Sequence, residues 1–119
     1  MKQHGRLVLV LPDKEFTFDH NRPVTTLTHL IEDYNNDVTE SDTTHFEEVI
    51  TLHDFKYDAF VKSKEDLIKR THLNIENRAV HHHVFNLALI KEMLIYCGFE
   101  LVHQQTYPPF HLVSVAQKM

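Results

Sequence analysis

Histidine supplies 11 of the 119 residues, and several histidines fall at spacings that suit metal chemistry. His29 and Asp33 are four apart in a segment that reads as helix, so both side chains point the same way. In the run His81-His82-His83, an extended backbone puts His81 and His83 on one face and His82 on the other. Two histidines on one face together with a carboxylate form the donor set of a zinc or iron site. His29, Asp33, His81 and His83 are therefore the candidate metal ligands. The plainer readings are a solvated His–Asp pair on a helix and histidines whose packing responds to protonation near neutrality. His45 and Glu48 have a similar ambiguity. No HExxH and no cysteine-based spacing accompanies these residues.

A second group of candidates is the loop Asp13, Lys14, Asp19, Arg22, which follows an apolar run. In open α/β sheets, ligands bind beyond the carboxyl ends of the strands, where this loop would lie. Its plainer reading is a turn-rich surface loop with Asp19 bonded to nearby backbone. His53 reads as a core or interface histidine, and Cys97 as a core residue with no basic neighbour to activate it. The sequence offers no nucleophile–base pair.

Those residues need elements to hold them. Gly5-Arg6-Leu-Val-Leu-Val-Leu11 predicts a strand buried on both faces. A first helix is expected from about Thr26 to Asn35, capped by Thr25 or Thr26, with Leu27, Leu30, Ile31 and Tyr34 as its apolar stripe. A second, capped by Ser41, would run to about His53. Residues 54–62 read as irregular, pinned to the core by Phe55, Tyr57 and Phe60. Ser63 and Asp66 form a capping box that opens a third helix, to roughly His72. Residues 73–80 have no clear assignment. The stretch from Asn86 to Val102 is the clearest: Asn86 caps a helix that is apolar nearly all round, Gly98 ends it, and a strand follows. A loop at Thr106–Pro109 then leads to a last strand, Phe110–Gln117. The expected fold is α/β: a small three-stranded mixed sheet, made of the first strand and an antiparallel C-terminal hairpin, with helices on it and a helical insertion at about 24–80. The first strand would be an unpaired edge, which points to a homodimer formed there.

The length fits one domain, 42% hydrophobic and 24% charged content is ordinary for a globular protein, and a net charge of -5 without a Lys/Arg cluster argues against nucleic-acid binding. No apolar run approaches the roughly 20 residues of a membrane span, and no signal-peptide pattern is present. A lone cysteine suits a reducing compartment, so a cytoplasmic location without membrane contact is expected. The two glycines, Gly5 and Gly98, form no loop able to wrap a nucleotide-like cofactor.

The run "GRLVLVLPDKEFTFDHNRPVTTLTHLIEDY" resembles the stretch that begins at the fifth strand of a branch of the class I S-adenosylmethionine-dependent methyltransferases. "HFEEV" and "HHHVFNLALIKEMLIYCGFELV…PFHLVSVAQK" resemble the later helix and last two strands of that branch. The likeness spans about residues 5–118 and covers only the family's C-terminal half. It implies a last strand lying antiparallel between the other two, and a substrate side formed by the charged loop and the insertion. The matched positions, with implied substrate contacts, are Asp13, Lys14, Thr17, Asp19, Arg22, Thr25, His29 and His83. The family's glycine-rich cofactor loop has no counterpart here. The expectation is thus a methyltransferase-like half-domain that binds no S-adenosylmethionine by itself, is either naturally short or truncated, and acts as a dimer or beside a chain that carries the cofactor half.

Overall fold

The computed structural model describes residues 1–119. Its first strand, β1 (Arg6–Pro12), alternates: Leu7, Leu9 and Leu11 turn to the core, while Val8 and Val10 face outward. This corrects the expectation of a strand buried on both faces. An unbroken Leu/Val run hides the period of two that a polar residue would have revealed. β2 (Phe99–Tyr107) and β3 (His111–Lys118) form the C-terminal hairpin, and β1 pairs with β3, giving the order β1-β3-β2. Both neighbouring pairs are antiparallel. The sheet is therefore not mixed: β1 and β2 run the same way, but β3 lies between them.

The core helix, α5 (Leu87–Tyr96), is capped by Asn86, whose side chain accepts from Leu89 N–H at 2.8 Å. Gly98, at φ +86°, takes the left-handed conformation that turns the chain into β2. Ile90 and Leu94 meet Leu112 and Ala116 in the buried cluster of the sheet, each large side chain contributing about 1.5–3 kcal/mol by leaving water. A second side, where Leu89 is buried, is met by the helix Leu27–Asn35, and the rest of α5 is bare. Ile95, Tyr96 and Cys97 are exposed, which corrects the reading of Cys97 as a core residue.

Four helices fill the insertion: α1 (Leu27–Asn35), α2 (Phe46–Leu52), α3 (Lys64–His72) and α4 (Asn74–Asn77). Thr26 caps α1 and Ser63 caps α3. α2 starts later than expected, because Thr39 to Thr44 are held in turns by the side chains of Thr39 and Asp42. Phe55, Tyr57 and Phe60 do not pin their segment; all three are exposed, as is Tyr34 on the expected stripe of α1. Polar anchors replace them. Buried Asp58 accepts from the backbone N–H groups of Phe60 and Val61 and from Arg70 at 2.7 Å. Buried Asn74 accepts from Val80 N–H and donates to Glu40, both at 2.8 Å. The insertion closes at its base: Thr25 N–H donates to Val84 O at 2.9 Å, and Val84 N–H donates back to Thr25 Oγ1 at 2.8 Å. No helix is long and apolar enough to cross a membrane.

Candidate metal centre

The Thr25–Val84 clamp sets His83 beside the start of α1. The Thr26 cap, accepting from His29 N–H at 3.1 Å, places His29 in the first turn, with Asp33 one turn further along the same side. His45 is the N-cap residue of α2, and its ring makes no capping bond, so the imidazole is free to turn toward the others. These three segments converge. One donor atom from each of His29, Asp33, His45 and His83 lies within 4.8 Å of the others. The rings meet edge-on, with centroids 5.2 Å apart for His29–His45, 5.6 Å for His29–His83 and 5.9 Å for His45–His83.

Asp33 Oδ2 bonds His83 Nε2 at 2.6 Å and lies 3.0 Å from His29 Nε2. The second contact is not aligned as a hydrogen bond: His29 Nε2 is buried without a hydrogen-bond partner, and so is His45 Nε2. Buried polar atoms are ordinarily paired. His29 Nε2 beside the Asp33 carboxylate is a donor that a metal ion would satisfy, since donors around one tetrahedral ion stand roughly 3.3 Å apart at usual bond lengths. His45 Nε2 lies 3.6 Å from Asp42 Oδ2, at the edge of the same group. Burial pushes His45 below its ordinary pKa, opposed by Asp42 and reinforced by His29, Arg22 and His83. A neutral imidazole is the form that binds a metal.

Three of the four ligands expected from sequence are thus brought together, and the fourth is corrected. His81 and His83 do not share a face, because the segment bends instead of running extended. His81 turns away to Asp19, with Nδ1 bonded to Oδ2 at 2.5 Å. His45 takes its place in the cluster. Its sequence signal was only a histidine near a helix start, and nothing local links it to His83, 38 positions on.

The charged loop forms a network of its own. Arg22, 1% exposed, donates from Nε to Glu48 at 2.9 Å and from Nη1 to Asp19 at 2.9 Å and the His81 carbonyl at 2.7 Å. Burial pushes the Asp19 carboxyl up, but the bonds and charges of His81 and Arg22 outweigh it and hold it below the ordinary range. Asp19 is therefore more than a local turn residue. The eight implied substrate positions divide among separate places. Lys14, Thr17, Asp19 and His83 line a cavity of about 280 Å3 at the end of β1, with His81 and His82. Arg22, Thr25 and His29 line another of about 210 Å3, with His45 and Glu48. Asp13 lines neither; its carboxylate bonds Glu15 N–H, the plainer turn reading. In comparisons with known proteins, no family model, curated protein or solved structure matched the chain.

Proposed function

We propose that this chain is a metal-binding module whose centre is His29, Asp33, His45 and His83, with zinc or iron as the ion. The observation that carries the reading is the convergence of four donor residues from three separate segments, two of them with a buried ring nitrogen that has no hydrogen-bond partner. Three neutral imidazoles and one carboxylate leave a single negative charge, which suits a divalent cation. With nitrogen and oxygen donors and no thiolate, borderline ions are preferred over soft ones. Four protein ligands would fill a tetrahedral shell, as in structural rather than catalytic zinc sites. The ion would then join α1, the start of α2 and the segment leading to α5. Elemental analysis of protein purified without an affinity column tests this: about one equivalent of zinc or iron is expected, falling to background in His45→Ala. An equal metal content in wild type and His45→Ala would sink the assignment.

A second reading has one observation in its favour. The order β1-β3-β2, with the last strand antiparallel between the others, agrees with what the resemblance to class I methyltransferases implies. Under that reading the chain is a methyltransferase-like substrate-side module that acts as a dimer or beside a chain supplying the cofactor half. Its cavity at the end of β1, with Lys14, Thr17, Asp19 and His83, would receive the substrate. Calorimetric titration with S-adenosylmethionine should give no heat of binding to this chain alone; saturable micromolar binding would show that the chain needs no complement.

A further inference from the structure

The free edge of β1 is unusually well suited to pair with itself. At the two ends of β1, Lys118 N–H donates to Gly5 O and Asp13 N–H donates to Phe110 O, so the odd-numbered residues direct their backbone groups toward β3. Ladder groups alternate along a strand. The N–H and C=O groups of Arg6, Val8 and Val10, and the C=O of Pro12, therefore face away from the sheet. Native edges are ordinarily blunted by a charge, a proline or a bulge within the strand. Here the register irregularity lies on the opposite edge, between Leu101 and His103, while Arg6 and Pro12 stand only at the ends of β1.

The five residues between them, Leu7-Val8-Leu9-Val10-Leu11, read the same in both directions. A two-fold interface brings one patch against its own copy, so the patch must be complementary to itself. Antiparallel pairing about an axis at Leu9 sets Val8 against Val10 on the outer face and Leu7 against Leu11 on the core face. Val8 and Val10 exchange both backbone bonds, whereas Leu9 meets Leu9 at a non-bonded position. Arg6 N–H meets the Pro12 carbonyl, and the N–H that proline lacks falls at the end of the ladder, where little is lost.

We propose that β1 pairs antiparallel with β1 of a second copy, with the two-fold axis at Leu9. The product is a continuous sheet of order β2-β3-β1-β1-β3-β2. Val8 and Val10 are 59% and 56% exposed in the single chain. Their cross-strand neighbours on β3 are Val115 and Val113. In the dimer these valines merge with those of the second copy into one apolar band, so backbone bonding and side-chain contact act together.

Sedimentation velocity on the full chain over a wide concentration range tests the pairing. Wild type should form a dimer that dissociates on dilution. Val10→Pro, which removes a free-edge N–H, and Val8→Lys, which sets a charge on an exposed position, should each weaken the dimer at least about tenfold. Far-UV circular dichroism should stay as in wild type; should Val10→Pro fail to fold, Val8→Lys carries the test. Val102→Lys on β2 should leave the dimer unchanged. Val8→Cys/Val10→Cys on a Cys97→Ser background should oxidise to a covalent dimer, because opposed strand residues lie within disulfide reach. A monomer at every concentration, a dimer indifferent to Val8→Lys, or one broken by Val102→Lys would overturn the proposal. A monomer that assembles only with a different chain would also overturn it, and would point to the complementing partner instead.

Discussion

Asp58 shows how a single buried carboxylate can organise a segment that has few apolar contacts. It joins Arg70, two backbone N–H groups and the neighbourhood of His53, whose Nε2 lies 3.1 Å away. His53 is stacked by Phe18 on one side and meets Phe55 edge-on. Burial pushes the His53 imidazole below its ordinary value against the pull of Asp58. Burial raises the Asp58 carboxyl, but the Arg70 and Phe60 bonds outweigh it and hold it low. For both groups the unfolded chain takes up the proton first as pH falls, so stability declines toward acid. The His53 contribution is complete above about 6.5 and fades below that, down to its folded pKa. The Asp58 contribution is complete above about 3.8 and is lost as pH falls through its own folded value. Urea unfolding across pH should therefore show two declines. In His53→Phe, which keeps the stack on Phe18, the upper decline should shrink. An upper decline of undiminished size in that variant would assign it elsewhere. At this scale the sequence was only partly legible. His29–Asp33 and Asp19–Arg22 are neighbours on the chain, so their pairing could be expected. The partners His81 for Asp19 and His45 for His83 are joined only by the fold.

Elements were legible where their signals are local. The caps at Thr26, Ser63 and Asn86 each hold the backbone N–H three residues on, as their side chains and spacing imply. The two ends of α5 give a paired prediction. Asn86→Ala removes the cap and should cost about 1 kcal/mol. Gly98→Ala meets no atom within 4 Å of the added carbon, so its cost is the left-handed backbone alone, also about 1 kcal/mol. Thermal melts of the two single variants and the double variant should add, because the sites lie at opposite ends of the helix. A loss at Gly98→Ala of several kcal/mol would mean that the glycine serves some purpose beyond φ. Burial was harder to read than element type. Which face of β1 points inward, and how much of α5 stays bare, depend on what lies opposite. Neither has a signature within a few residues. The late start of α2 has the same origin: Ser41 is a good cap by type, but Thr39 and Asp42 engage the backbone first.

At the scale of the molecule, the Cα radius of gyration is 15.6 Å, with extents of 48 × 34 × 23 Å. A compact domain of this length would have a radius of about 13–14 Å. The elongation separates two bodies of packing: the α5–sheet cluster and the insertion, whose buried apolar residues Val49, Val61, Leu67 and Val80 are few. If the histidine centre ties the insertion together, a chelator should loosen it selectively. Hydrogen exchange with and without EDTA should show lost protection in α1 and α2, while β1, β3 and α5 keep theirs. Uniform loss, or none, would deny the centre that part. The clamp between Thr25 and Val84 has a further consequence. Because the chain leaves and returns at one point, residues in the outer loops of the insertion can be added or removed without moving the register of the sheet, as long as Glu48 and the His81 carbonyl still meet the buried Arg22 outside the clamp. The insertion is thus rooted twice, by the clamp and by Arg22, and what is exchangeable is the part beyond both. A short turn from Thr25 to Val84 would leave a sheet-and-helix stub of roughly 60 residues, a size at which folding is marginal, and would need Arg22 replaced as well, since both its partners inside the clamp are lost.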